Sequence, residues 1–186
     1  MNFENIDLKT YDLNTPYPEV TVTLDSLKQT DEKNYLNIIS MIINAYAGNR
    51  SEYTAISQYI YQSFIVKKSY EKLHKILEYI AIKEMHHLEI LSEILINLNV
   101  NPKYCKYIDY NPNICDNWCS NNIRYIKDIE KFLEYNISLE TDAIKEYLRI
   151  IDATKNSNIK EVLNRIIQDE KTHIEIFKEL LKDTKK

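Results

Sequence analysis

Glycine is almost missing from this chain. Gly48 stands alone among 186 residues, and the four prolines fall in two stretches, Pro16 and Pro18 near the start and Pro102 and Pro112 near the middle. An all-β protein needs many more turn residues, so long helices are expected. Three cysteines are an odd, small number, which argues against a disulfide framework. No run approaches the roughly 18 apolar residues of a membrane span. The opening Met1-Asn2-Phe3-Glu4-Asn5-Ile6-Asp7 is acidic and polar, unlike a secretory leader. With 24 basic against 28 acidic side chains, the chain also lacks the basic excess of a nucleic-acid surface. A cytoplasmic protein with no membrane and no nucleic-acid partner is expected. What is present is a hydrophobic content of 44%, enough for one core in a domain of this length.

Residues 1 to 30 show no helical periodicity and are expected to form an extended N-terminal arm. Beyond them, apolar stripes at helical spacing predict four helices, over 31 to 68, 70 to 98, 122 to 155 and 158 to 182. The first stripe holds Leu36, Ile39, Ile42 and Ile43, then Ala55, Ile56, Tyr59 and Ile60. Gly48-Asn49-Arg50-Ser51 interrupts it, at a point where the helix is expected to kink or restart. Ser69 is the expected N-cap of the second helix. Short turns join the first helix to the second and the third to the fourth. The intervening segment from about 99 to 121 holds all three cysteines and Trp118. Extended, it reaches farther than the roughly 45 Å of a thirty-residue helix. The expected fold is all-α, a four-helix bundle of two antiparallel hairpins joined by a long crossover.

Charged residues interrupt each stripe where a pure core would use leucine. The first helix offers Glu52 and the third Glu140. The second and fourth each offer a Glu-x-x-His, Glu84 with His87 and Glu170 with His173. Spacing of i,i+3 puts each pair on one helix face. All four glutamates lie roughly 18–24 Å from their own hairpin turn, so they share one level of the bundle. The halves also repeat: Glu52 to Tyr59 and Glu140 to Tyr147 share E-x-x-A-I-x-x-Y, and Glu84 and Glu170 both open E-x-x-H-[L/I]-E-I. An approximate two-fold site follows. Carboxylates can bridge two ions while each imidazole gives one ion a firm terminal bond, and such mixed N/O donors suit iron and manganese. Two divalent ions would cancel four carboxylates whose burial is otherwise costly.

The order Glu, Glu-x-x-His, Glu, Glu-x-x-His over four helices resembles the ferritin-like di-metal carboxylate superfamily, which includes rubrerythrin, bacterioferritin and manganese catalase. The resemblance covers about residues 31 to 182. It implies that Glu84 and Glu170 bridge the ions, with Glu52 and His87, and Glu140 and His173, as terminal ligands. Around them, Asp169 is expected to hold the Nδ1–H of a ligand histidine, as in similar proteins that carry Asp-Glu-x-x-His; the second helix has Lys83 there instead. Tyr59 and Tyr147 lie two turns beyond Glu52 and Glu140, placed either to hydrogen-bond the opposite glutamates or to pack as ordinary core tyrosines. His86, His74, Glu89 and Glu175 are expected to stay outside the site. Cys105, Cys115 and Cys119 lack the paired C-x2-C of a rubredoxin module.

The activity implied is that of a di-iron oxidoreductase that reduces hydrogen peroxide or oxygen with electrons from an external donor. Manganese catalase-like disproportionation and iron binding or storage are the alternatives, and a homo-oligomer is expected. No glycine-rich phosphate loop or nucleophile motif points to other chemistry.

Overall fold

In a computed structural model of the chain, residue 3 and residues 6–11, 15–108 and 111–184 are described. Six helices are described: α1 (Leu24–Asp31), α2 (Tyr35–Ala47), α3 (Glu52–Val66), α4 (Glu71–Asn97), α5 (Ile129–Ala153) and α6 (Ser157–Thr184). Helices α3 and α4 form one hairpin and α5 and α6 the other, giving an all-α, ferritin-like bundle with a long crossover between α4 and α5.

The expected first helix is interrupted. Helix α2 ends at Gly48, whose N–H donates to Asn44 O at 2.9 Å, and α3 restarts behind Ser51, whose hydroxyl accepts from the Thr54 N–H. This restart puts Glu52 in the first turn of α3. Gly48 is required here by close approach. A Cβ built on it would stand 2.5 Å from Asn44 O. Gly48→Ala is therefore expected to destabilise the fold by about 1–3 kcal/mol, read as a lower urea midpoint. An unchanged midpoint would mean that the Asn44 carbonyl yields freely.

Three further expectations need correction. The arm is not wholly extended: Thr23 and Ser26 form a reciprocal cap that starts α1, and Val20, Val22 and Leu27 are buried against the bundle. Ser69 is not an N-cap, because α4 begins behind Tyr70 with no side-chain cap. Helix α5 starts at Ile129, seven residues later than expected, where the Asp128 side chain caps the Lys131 N–H. The residues before it include an antiparallel pair, β1 (Cys105–Ile108) and β2 (Asn111–Asn117), and a 3-10 turn at Ser120–Asn122. Cys105 is disulfide-bonded and Cys119 is an exposed free thiol, so the odd cysteine count did not exclude a bridge. The Cys115 side chain lies outside the described residues.

The core divides into two apolar clusters. One gathers Ile38, Ile42, Leu91, Ile94, Leu163 and Ile166; the other gathers Leu73, Leu77, Phe132, Phe177 and Leu180. Each fully buried aliphatic or aromatic side chain contributes about 1.5–3 kcal/mol. On α4, Glu84 and His87 fall between Leu77 of one cluster and Leu91 of the other; on α6, Glu170 and His173 fall between Ile166 and Phe177. The bundle thus holds a polar layer between two apolar ones. Among the described residues no helix is long and apolar enough to cross a membrane.

Candidate metal centre

That polar layer contains the six expected ligands. Glu84, His87, Glu170 and His173 have no exposed surface, and Glu140 and Glu52 keep only 1% and 3%. The Nδ1 atoms of both histidines point inward. His87 Nδ1 lies 2.9 Å from Glu84 Oε2, 3.1 Å from Glu170 Oε1 and 3.7 Å from Glu52 Oε2. His173 Nδ1 lies 2.9 Å from Glu84 Oε1, 3.0 Å from Glu170 Oε2 and 3.8 Å from Glu140 Oε1. The two rings are 5.9 Å apart between centroids. Two overlapping donor sets result, Glu52–Glu84–His87–Glu170 and Glu84–Glu140–Glu170–His173, each with ligand atoms within 4.8 Å of one another. Glu84 and Glu170 belong to both sets. One imidazole nitrogen and three carboxylates per set fit a divalent first-row ion.

Burial strongly perturbs these groups. Desolvation, reinforced by the charges of Glu84 and Glu170, holds Glu52 and Glu140 well above the ordinary carboxyl range. Burial alone would also raise Glu84, but His173 and then His87 hold it well below that range. Burial opposes protonation of the histidines, yet the facing carboxylates win. Glu170 leads in raising His87 well above its usual value, and Glu84 leads in raising His173 to about 9. Imidazolium and carboxylic-acid protons thus supply the positive charge that ions would bring to the layer.

The supporting residues are in contact with the ligands. Tyr59 on α3 donates to Glu140 Oε1 across the bundle at 2.5 Å, and Tyr147 on α5 donates to Glu52 Oε1. Both tyrosines are fully buried. Of the two alternatives for them, the hydrogen-bonded one holds. Asp169 reaches His87 through Nε2, at 3.3 Å, and not through Nδ1 as expected. The reason is rotational: the ring turns Nδ1 toward the glutamates, which leaves Nε2 facing α6. Sequence reasoning missed the residues behind Asp169. Arg165 Nη1 donates to Asp169 Oδ1 at 2.6 Å and the Tyr17 hydroxyl donates to Asp169 Oδ2 at 2.5 Å. Arg165 carried a readable signal, an i,i+4 spacing to Asp169; Tyr17 carried none. His86, Glu89 and Glu175 are exposed, and His74 is paired instead with Glu78, at 3.3 Å.

Small cavities lie beside Glu52 and Glu140. Two small cavities of about 10 Å³ each touch the carboxylates: Arg50, Ser51 and Glu52 line both, with Glu140 in one and Tyr147 in the other. Arg50 also lines an open polar hollow of about 470 Å³, with Asp142, Lys145, Glu146 and Arg149. Its guanidinium is held there by Asp142 at 2.8 Å and Ser138 at 2.6 Å.

Known proteins agree with this architecture. The chain is similar to KatB, a manganese catalase from Anabaena, with a TM-score of 0.74, 18% identity, and coverage of 94% of this chain and 80% of that one. It is similar to the bacterioferritin of Desulfovibrio desulfuricans, with a TM-score of 0.63, 20% identity, and 80% of each chain covered. A curated relative, the encapsulin nanocompartment cargo protein EncC of Myxococcus xanthus, is 35% identical over 54 residues. That match covers 29% of this chain and 42% of the relative, so the chain spans under half the length of the curated protein it matches. The rubrerythrin family model matches residues 44–181, a span that contains all six candidate ligands. With most of its length matched by that model, and with a carboxylate–histidine di-metal site inside the match, the chain belongs to the rubrerythrin family.

Proposed function

We propose that the protein is a di-iron oxidoreductase that reduces hydrogen peroxide or oxygen. Glu84 and Glu170 would be shared by two ions, while Glu52 with His87 and Glu140 with His173 would each help to hold one of them. The observation that carries this reading is the sharing of Glu84 and Glu170 between the two donor sets. Bound as a pair, the ions would supply the two electrons that an O–O bond takes up on cleavage. The chain's own residues do the rest. Glu52 and Glu140, with raised proton affinity, can hold or release a proton as charge in the layer changes. Tyr59 and Tyr147 orient these two carboxylates. The apolar clusters on either side keep bulk water out. The hollow at Arg50 suits a small polar oxidant, because its groups can hydrogen-bond hydrogen peroxide. Turnover also needs an external electron donor, and a homo-oligomer within the cytoplasm is the expected setting.

The test has two parts. Protein purified without added metal should contain about two iron atoms per chain, and the reduced form should be re-oxidised rapidly on mixing with hydrogen peroxide. An inert reduced form would sink the reductase reading. A second reading, peroxide disproportionation, draws on the fold shared with a manganese catalase; two manganese per chain and sustained oxygen evolution would select it. A third reading is iron binding or storage, and the EncC match adds only that a similar segment occurs in a nanocompartment cargo protein. Iron uptake far beyond two atoms per chain would select that one.

A further inference from the structure

The two halves of the centre match on the inside and differ on the outside. Inside, each histidine Nδ1 meets one oxygen of Glu84 and one of Glu170 at 2.9–3.1 Å, and each terminal glutamate accepts from a buried tyrosine. Outside, His87 Nε2 has Asp169 Oδ2 at 3.3 Å, whereas His173 Nε2 is buried and has no hydrogen-bond partner among the described residues. The sequence explains the difference. Asp169 and Arg165 stand one and five residues before Glu170; the corresponding places before Glu84 hold Lys83 and Tyr79. Neither can accept from an imidazole as a carboxylate does.

Asp169 is itself held by the N-terminal arm. The Tyr17 hydroxyl donates to Oδ2 and Arg165 Nη1 to Oδ1. Arg165 is anchored in turn on the arm's backbone, donating to Thr15 O from Nη2 at 2.6 Å and from Nε at 3.2 Å. The guanidinium lies 4.6 Å from the Tyr17 ring centroid, and that ring stands edge-on to His87 at 5.9 Å. Thr15 and Tyr17 lie outside the stretch that the family model matches, which begins at residue 44.

We propose that the arm makes the two ion positions unequal. Tyr17 and Arg165 fix Asp169 on His87 Nε2, so the ion between Glu52 and His87 is held more tightly than the ion between Glu140 and His173. A carboxylate on the outer nitrogen fixes the ring and strengthens the inner nitrogen as a donor, an effect worth about 10–100-fold in metal affinity. His173 lacks that support, since among the described residues no group accepts from its buried outer nitrogen. Tyr17 is a positioning residue here, acting through Asp169. The proposal rests on the di-metal reading above.

Single-position variants separate the two sites. Glu140→Ala leaves the donor set around His87 complete, and Glu52→Ala leaves the set around His173. Cobalt(II) titrated into each metal-free variant, followed by visible absorbance, should give a Kd about 10–100-fold lower for Glu140→Ala. Adding Tyr17→Phe, which keeps the ring and removes the hydroxyl, should raise the Kd of Glu140→Ala several-fold and leave that of Glu52→Ala unchanged. Adding Asp169→Asn should do the same with a larger effect. Equal Kd values for the two single variants would overturn the proposal. So would a Tyr17→Phe effect of the same size in both, since that is what a purely structural role predicts. Wild-type protein that binds two ions with one shared affinity would overturn this inference alone, whereas wild-type protein that binds none would overturn the di-metal reading beneath it.

Discussion

Glu170→Ala protein is expected to bind neither ion, while Glu140→Ala protein still binds one. The difference comes from geometry. Glu170 offers Oε1 toward His87 and Oε2 toward His173, at 3.1 and 3.0 Å, and Glu84 divides its oxygens in the same way at 2.9 Å. Removing either carboxylate takes a donor from both positions and leaves three carboxylates to offset the four positive charges of two ions. Glu52 and Glu140 each belong to one donor set only, so their loss should cost one ion. Metal per chain after gel filtration, by elemental analysis, gives the answer directly. Because deleting one partner of a buried charged cluster costs about 3–5 kcal/mol, Glu170→Gln should be measured beside the alanine variant. The amide keeps the volume and still accepts hydrogen bonds. Two ions per chain in well-folded Glu170→Gln would show that Glu170 does not bridge.

The second large effect concerns acidity. Metal-free protein should lose thermal stability as pH rises from about 6 to 9, and metal-loaded protein should gain it over the same interval. The folded-state pKa of His173 is raised from 6.5 to about 9, and that of His87 is raised well above 6.5. Protonation of His173 therefore stabilises the metal-free fold fully below pH 6.5, that stabilisation disappears as pH climbs through about 9, and His87 acts in the same sense. Glu52 and Glu140, raised well above 4.5 by burial, act in the same sense. Once pH exceeds 4.5 the unfolded chain ionises them and gains by it. Glu84 acts oppositely, since its depressed pKa adds stability above 4.5 that is lost in stronger acid. Metal-free stability should accordingly peak in mild acid. At about 1.4 kcal/mol per pK unit, the His173 shift alone is on the order of 3 kcal/mol, or roughly 10 °C in Tm for a chain of this size. Ions reverse the slope because they displace the same protons, and protons compete less as pH rises. Scanning calorimetry from pH 5 to 9, with and without bound cobalt(II), would reveal the crossing. A metal-free Tm that climbs steadily to pH 9 would refute it.

The six candidate ligands could be picked out in one sequence because side chains that share a helix face are written in spacing. Glu84 and His87, and Glu170 and His173, are i,i+3 pairs whose shared face follows from helix geometry alone. Their common depth with Glu52 and Glu140 follows from counting residues back to the turns. Scarce glycine and proline likewise made the helices legible, and the repeat of Glu52–Tyr59 in Glu140–Tyr147 implied the two-fold arrangement. The break at Gly48 was also visible. Whether it would kink α2 into α3 or separate them was not, since that depended on the contact of Gly48 with the Asn44 carbonyl and on the Ser51 cap.

Other features had no local signal. The β1–β2 pair consists of two short segments that pair with each other while β1 also packs against α2, and short strands without clean alternation leave little periodicity to detect. The choice of Nε2 over Nδ1 for Asp169 is a matter of side-chain rotation, which no spacing encodes. Tyr17 is the clearest case. It lies 152 residues from Asp169, in a stretch with no helical pattern, and joins the site only because the arm packs along the bundle. Local sequence determined where the long helices form and which donors each presents, because helix periodicity is a short-range property of the chain. The tertiary structure alone decided which of those donors come together and which histidine is braced from behind, because those relations exist only between segments brought together by burial of the core.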